Sequence, residues 1–162
     1  MINRIALSFV ALVALAGSAA AEVRTSQAGK VSIDVPSGWN TKSQSDTLLT
    51  ISDPTNEIGI LFAVVEQSDM KKAGEALDAY LSKIATDIKW GDKPKPAQFN
   101  GMSGVKIDGR ASVQGKPVGL GAVFLKTPSQ KGLIVLVLVQ ADRMAAHKES
   151  IKAIFNSLKP AA

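Results

Sequence analysis

Residues 132–139, GLIVLVLV, constrain this chain more than any other stretch. The run is apolar on both alternations. Leu133, Val135, Val137 and Val139 are set to face one side of a sheet, and Ile134, Leu136 and Leu138 the other. A strand of this kind belongs in the middle of a sheet with cover on both faces. Each such side chain contributes about 1.5–3 kcal/mol when fully buried, so exposing either face is costly. The run is too short to cross a bilayer, which takes roughly 20 apolar residues as a helix. The rest of the chain is read as strands beside this one or helices over it.

The N-terminal residues have the layout of a secretory signal peptide. Arg4 supplies the positive start, residues 5–15 the apolar stretch, and residues 17–21 (GSAAA) the small residues before a cleavage site. Ala19 and Ala21 fit the A-x-A pattern, which predicts cleavage after Ala21 and one α+β domain over residues 22–162. The expected location is the periplasm or the outside, with no transmembrane helix once the signal is gone. The chain has no cysteine, which excludes disulfides and a lipid-modified N-terminal Cys, so packing alone must stabilise the domain. There are 19 Lys and Arg against 14 Asp and Glu, and Arg4 leaves with the signal. The remaining basic residues are scattered, as on a solvated cationic surface, which predicts no nucleic-acid footprint.

In chain order, residues 22–30 read as a polar leader. Residues 31–35 (VSIDV) alternate as a half-buried strand, and Pro36-Ser37-Gly38 stops it just before Trp39. Residues 40–46 read as a polar loop, 47–52 as a second strand, 53–56 as a turn and 58–65 (IGILFAVV) as a third strand. Ser68 or Asp69 is placed to cap a helix over residues 70–89, with Ala73, Leu77, Tyr80, Leu81, Ile84 and Ile88 on its apolar stripe. Residues 90–96 (WGDKPKP) read as a loop, and Asn100-Gly101 as a turn. Residues 103–113 alternate, with Lys106, Asp108, Arg110 and Ser112 on a wet face. Residues 114–116 form a compact hairpin connection to a strand over 117–126, which Gly119 and Gly121 weaken or bend. Asp142 can cap a last helix reaching Leu158, with Met144, His147, Ile151, Ile154, Phe155 and Leu158 on one stripe, ended by Lys159 and Pro160. The expected order is β-β-β-α-β-β-β-α: a mainly antiparallel six-stranded sheet with one helix on each face.

Val35-Pro-Ser-Gly-Trp39 closing the first strand, the long helix after three strands, and Ile154-Phe-Asn-Ser-Leu158 in the closing helix resemble the PsbP/Mog1-like superfamily. The likeness spans nearly all of the presumed mature chain. It implies an αβα sandwich, and relatives that mostly bind partners rather than catalyse. The photosystem association of plant members does not carry over, because no residue here matches a site for it.

The catalytic inventory is thin. Without Cys there is no thiol nucleophile, and His147 is the only histidine, so any Ser-His-Asp arrangement must use it. No G-x-S-x-G elbow precedes a helix. His147 falls on the last helix's apolar stripe, where a half-buried side chain with one hydrogen-bond partner is expected. Residues 53–57 (DPTNE) lack the spacing of a calcium loop, and Gly119-Leu120-Gly121 lies in a strand rather than before a helix, so it is no phosphate loop. The sequence therefore predicts no catalytic residue, no metal and no cofactor. It predicts a non-catalytic, exported binding or accessory protein whose partner is another envelope protein. The candidate contacts are Trp39 and the basic loop of Trp90, Lys93 and Lys95, although Trp39 after a Pro-Gly turn more simply braces the sheet. The rival is a small-ligand or lipid carrier with a cavity where Leu77, Leu81, Phe124 or Phe155 packs incompletely. A hydrolase using His147 is a third possibility.

Overall fold

The computed structural model describes residues 21–66 and 69–161. The predicted signal peptide and the Ser68 cap thus fall outside the described residues, apart from Ala21. In chain order the elements are β1 (Glu22–Ser26), β2 (Val31–Val35), β3 (Asn40–Ser45), β4 (Leu48–Ser52), β5 (Ile58–Val65) and α1 (Met70–Leu81). They continue with β6 (Thr86–Trp90), β7 (Lys95–Phe99), β8 (Met102–Val113), β9 (Lys116–Lys126), β10 (Gly132–Gln140), α2 (Met144–Ser157) and β11 (Lys159–Pro160).

β10 lies inside an eight-stranded antiparallel sheet, paired with β5 on one side and β9 on the other. The strands run β3-β4-β5-β10-β9-β8-β6, and β7 also pairs with β8. The predicted division of the apolar run holds. Leu133, Val135, Val137 and Val139 belong to a core with Ile154 and Leu158 of the α2 end and Val31, Ile33 and Val35 of β2. Leu136, on the opposite face, packs with Leu81 and Ala85 below α1. Each face thus has its helix. The α2 face has a second cover, the three-stranded sheet β1-β2-β11, which the sequence did not suggest.

Several polar stretches are strands. The expected leader holds β1, the expected loop at 40–46 holds β3, and residues 86–90 and 95–99 are β6 and β7 rather than helix and loop. The strand count is therefore larger than six. These strands sit at sheet edges, where polar side chains discourage further pairing and leave no alternation to read. Asp69 caps α1 by accepting from the Lys71 N–H at 2.9 Å. The helix stops at Leu81, not Lys89. Ile84 is exposed, and Ile88 reaches the same core from β6. The backbone that a longer helix would have satisfied instead pairs with β8, Trp90 opposite Gly109.

Asn100-Gly101 and Gln114-Gly115 are two-residue hairpin loops with both φ angles positive (46° and 89°, 51° and 76°), the backbone that joins twisted antiparallel strands well. Asp142 does not cap α2. It lies in a 3-10 turn, Ala141–Arg143, that leads into the helix without a side-chain cap. Lys159 and Pro160 do end the helix, and they do so by pairing with β2.

Candidate functional site

The predicted contact residues do not share a surface. Trp39 precedes the edge strand β3 and packs against the α2-side core, whereas Trp90 ends the opposite edge strand β6 and packs against the α1-side core. Six strand spacings separate those edges, roughly 29 Å. Both indoles are half-buried. Trp90 lies over Gly109, where a Cβ would stand 2.8 Å from its ring, and its Nε1–H donates to Asp78 Oδ1 at 3.3 Å. Lys93 and Lys95 are exposed on the edge loop and the first residue of β7.

A groove runs between α2 and the sheet. Its floor is Gly119, Gly121, Val137 and Val139, its helical wall Met144, Ile151 and Phe155, and its volume about 340 Å³. The floor is deep because β9 carries two glycines on the side where its other residues, such as Val123 and Leu125, fill the α2-side core. Met144 leans into the space left at Gly119, where a Cβ would overlap its methyl group, and is still 47% exposed. Phe155 is held from the far side by Phe99, with ring centroids 5.3 Å apart.

Lys106 and Asp108, on the wet face of β8, form the open rim together with Lys152 of α2. The same Lys106 and Asp108 also line a notch at the sheet edge with Lys93, Lys95 and Asp92. The groove and the notch therefore adjoin at these two residues. Four exposed lysines against two exposed aspartates make the combined surface positive beside an apolar floor. The sequence had separated these residues: Lys93 and Lys95 were read as a loop and Gly119 and Gly121 as strand bends. Their joining depends on β8 lying between β7 and β9.

Two other pockets are smaller. About 170 Å³ lies beside α1, lined by Leu77, Phe124 and Ile107, and about 140 Å³ under the three-stranded sheet, lined by Ile33, Leu49 and Phe62. Leu81 is fully buried.

His147 is half-buried on α2, as expected, with a single partner. Its Nε2 lies 2.7 Å from Glu57 Oε2, and Arg143 Nε approaches Glu57 Oε1 at 3.3 Å. Asp53, four residues before Glu57, is buried and accepts from the N–H groups of Ile58 (2.8 Å) and Thr55 (3.1 Å) and from the Thr55 hydroxyl. Burial alone raises the pKa of this carboxyl, but these hydrogen bonds and one from the Glu57 N–H outweigh it and hold the group below the usual carboxylate value. This constellation was not legible in the sequence, because His147 is 90 positions from Glu57.

No protein-family model and no curated protein matches the sequence. Solved structures do match in fold. Cyanobacterial PsbP from Synechocystis sp. PCC 6803 superposes with a TM-score of 0.59 at 12% identity, over 86% of this chain and 92% of its own. LpqN, involved in cell envelope biogenesis in Mycobacterium tuberculosis, gives 0.54 at 15% identity, over 80% and 82%. A Pseudomonas aeruginosa protein of unknown function gives 0.51 at 14% identity, over 85% and 95%. The fold is thus PsbP/Mog1-like, as the residues around Trp39 and the closing helix implied. Among the described residues no helix is long and apolar enough to cross a membrane.

Proposed function

We propose that this protein is an accessory component of the cell envelope that works by binding rather than catalysis. Its partner is another envelope protein, seated in the α2 groove and the lysine notch beside it. The observation that carries this reading is the groove itself. Glycines at 119 and 121 leave an apolar trough, Lys106 and Lys152 rim it, and Lys93 and Lys95 stand in the neighbouring notch. A segment with acidic and apolar side chains complements that surface, with the lysines setting encounter rate and register and the trough supplying the buried contact. The layout of residues 1–21 as an export signal, and the fold shared with a protein involved in cell envelope biogenesis, support the location.

The carrier reading turns on the same groove, whose volume of about 340 Å³ meets the roughly 300 Å³ of small-molecule sites, while its exposed lysine rim favours a protein partner. The test is capture of the tagged protein from gently crosslinked cells, beside a variant with Lys93, Lys95, Lys106 and Lys152 all changed to Glu. The reading predicts one dominant protein that disappears with the variant while Tm is unchanged. A stoichiometric small molecule released by denaturation, with no dominant protein, overturns it in favour of a carrier.

A further inference from the structure

We infer that Asp53, Glu57 and His147 form a binding site for one divalent cation of the zinc class. One ligand atom from each residue lies within 4.8 Å of the other two, and the closest pair is already 2.7 Å apart. Ligand atoms around a tetrahedral ion with bonds of about 2.0–2.2 Å are about 3.4 Å apart, so small side-chain rotations bring all three into range. One imidazole and two carboxylates suit zinc and its neighbours better than magnesium or calcium, which favour oxygen alone.

The residues come from two elements that the fold holds together. Asp53 and Glu57 flank the β4–β5 turn, and His147 projects from the second turn of α2. The site is pre-arranged on the acid side. Asp53 is held by hydrogen bonds from Ile58, Thr55 and Glu57, so an ion bound to its carboxylate takes the place of one of them. Arg143 engages Glu57 Oε1 and leaves Oε2 facing the imidazole.

Charge points the same way. With His147 neutral, two carboxylates face one guanidinium, and Arg143 is about half exposed, so its charge is screened. Asp53 has no cationic partner among the described residues. A divalent ion supplies the missing positive charge. Binding takes the Nε2 lone pair, so the proton now between His147 and Glu57 moves to Nδ1 if the ring is neutral, or to solvent if it is protonated. Glu57 also lines an open cleft with Thr55 and Asn56, so the site has a side that faces solvent.

The test is titration of the tag-free chain with zinc chloride, followed by calorimetry, thermal melting and proton NMR. Because His147 is the only histidine, its two ring signals are unambiguous reporters. The expected result is one saturable site, a Tm that rises with zinc, and ring signals that shift in step with occupancy. Glu57→Gln and His147→Gln should each weaken binding by at least about tenfold while circular dichroism shows an intact fold. Ring signals that do not move at saturating zinc, or parent-like affinity in both variants, overturn the site.

Discussion

Asn100 Nδ2 donates to two carbonyls at the end of α2, those of Asn156 (2.9 Å) and Leu158 (2.7 Å). The last carbonyls of a helix lack partners within it, and here a hairpin loop from the far side of the groove supplies them. Asn100 itself sits at φ 46°, a backbone that Asn tolerates and most residues do not. Asn100→Gly keeps that backbone and removes both bonds. We expect a loss of about 1–3 kcal/mol in urea unfolding with unchanged slope. A change near zero would mean that α2 is held by its buried Ile154 and Leu158 alone.

Two glycines of adjacent strands should respond in opposite ways to the same added methyl. At Gly121 a Cβ meets Asp108 Oδ1 at 3.8 Å and Val137 Cβ at 3.9 Å, ordinary contacts, so Gly121→Ala should fold normally while narrowing the groove. At Gly104 a Cβ would overlap the Phe124 carbonyl, and Gly104→Ala should lose cooperative melting. Parallel thermal melts decide this. A collapsed Gly121→Ala would refute the open floor.

Trp39→Ala and Trp90→Ala should each destabilise, by about 2–3 kcal/mol, somewhat less than the ~3–5 kcal/mol typical of fully buried aromatics. The indoles brace opposite faces at opposite edges of the sheet, so the double variant should show the two losses added within ~0.5 kcal/mol. Denaturant midpoints of the four proteins complete the cycle. A clearly smaller combined loss would reveal coupling through the sheet.

Asp53 makes stability depend on acid. Its carboxyl titrates below 3.8 in the folded protein, since its hydrogen bonds outweigh the effect of burial. The stability it contributes is therefore fully present above the unfolded value. It is lost as pH falls through the lower folded one. Asp53→Asn should be less stable than the parent at about pH 7, and the gap should narrow as pH falls below the ordinary aspartate range. Urea midpoints across that range measure it, and a constant gap would assign the loss to packing instead.

How far the sequence carries depends on where burial writes a pattern. β10 was legible because both faces are covered, and the hairpins at Asn100-Gly101 and Gln114-Gly115 because their backbone demands particular residues. β1, β3, β6 and β7 were not, since edge strands such as NTKSQS satisfy their backbones without an apolar face. The end of α1 is unmarked in the sequence: Ile84 and Ile88 continue the helical period by coincidence, and no Gly or Pro marks the stop. At the candidate sites, residue types were visible and their neighbours were not. Gly119 and Gly121 were seen as weak points of a strand, yet only the packing of α2 makes them a floor. His147 was placed correctly on its helix, and only the register of the β4–β5 turn brings Glu57 to it.

β2 holds β1 on one side and β11 on the other, so strands from opposite ends of the described chain share one neighbour. Ser32 pairs with Thr25, seven positions before it, and with Lys159, far along the chain. The layer that closes the α2-side core therefore cannot form until residues near 159 have emerged from the ribosome. Until then Val31, Ile33 and Val35 have no finished core to enter. Such long-range closure slows folding.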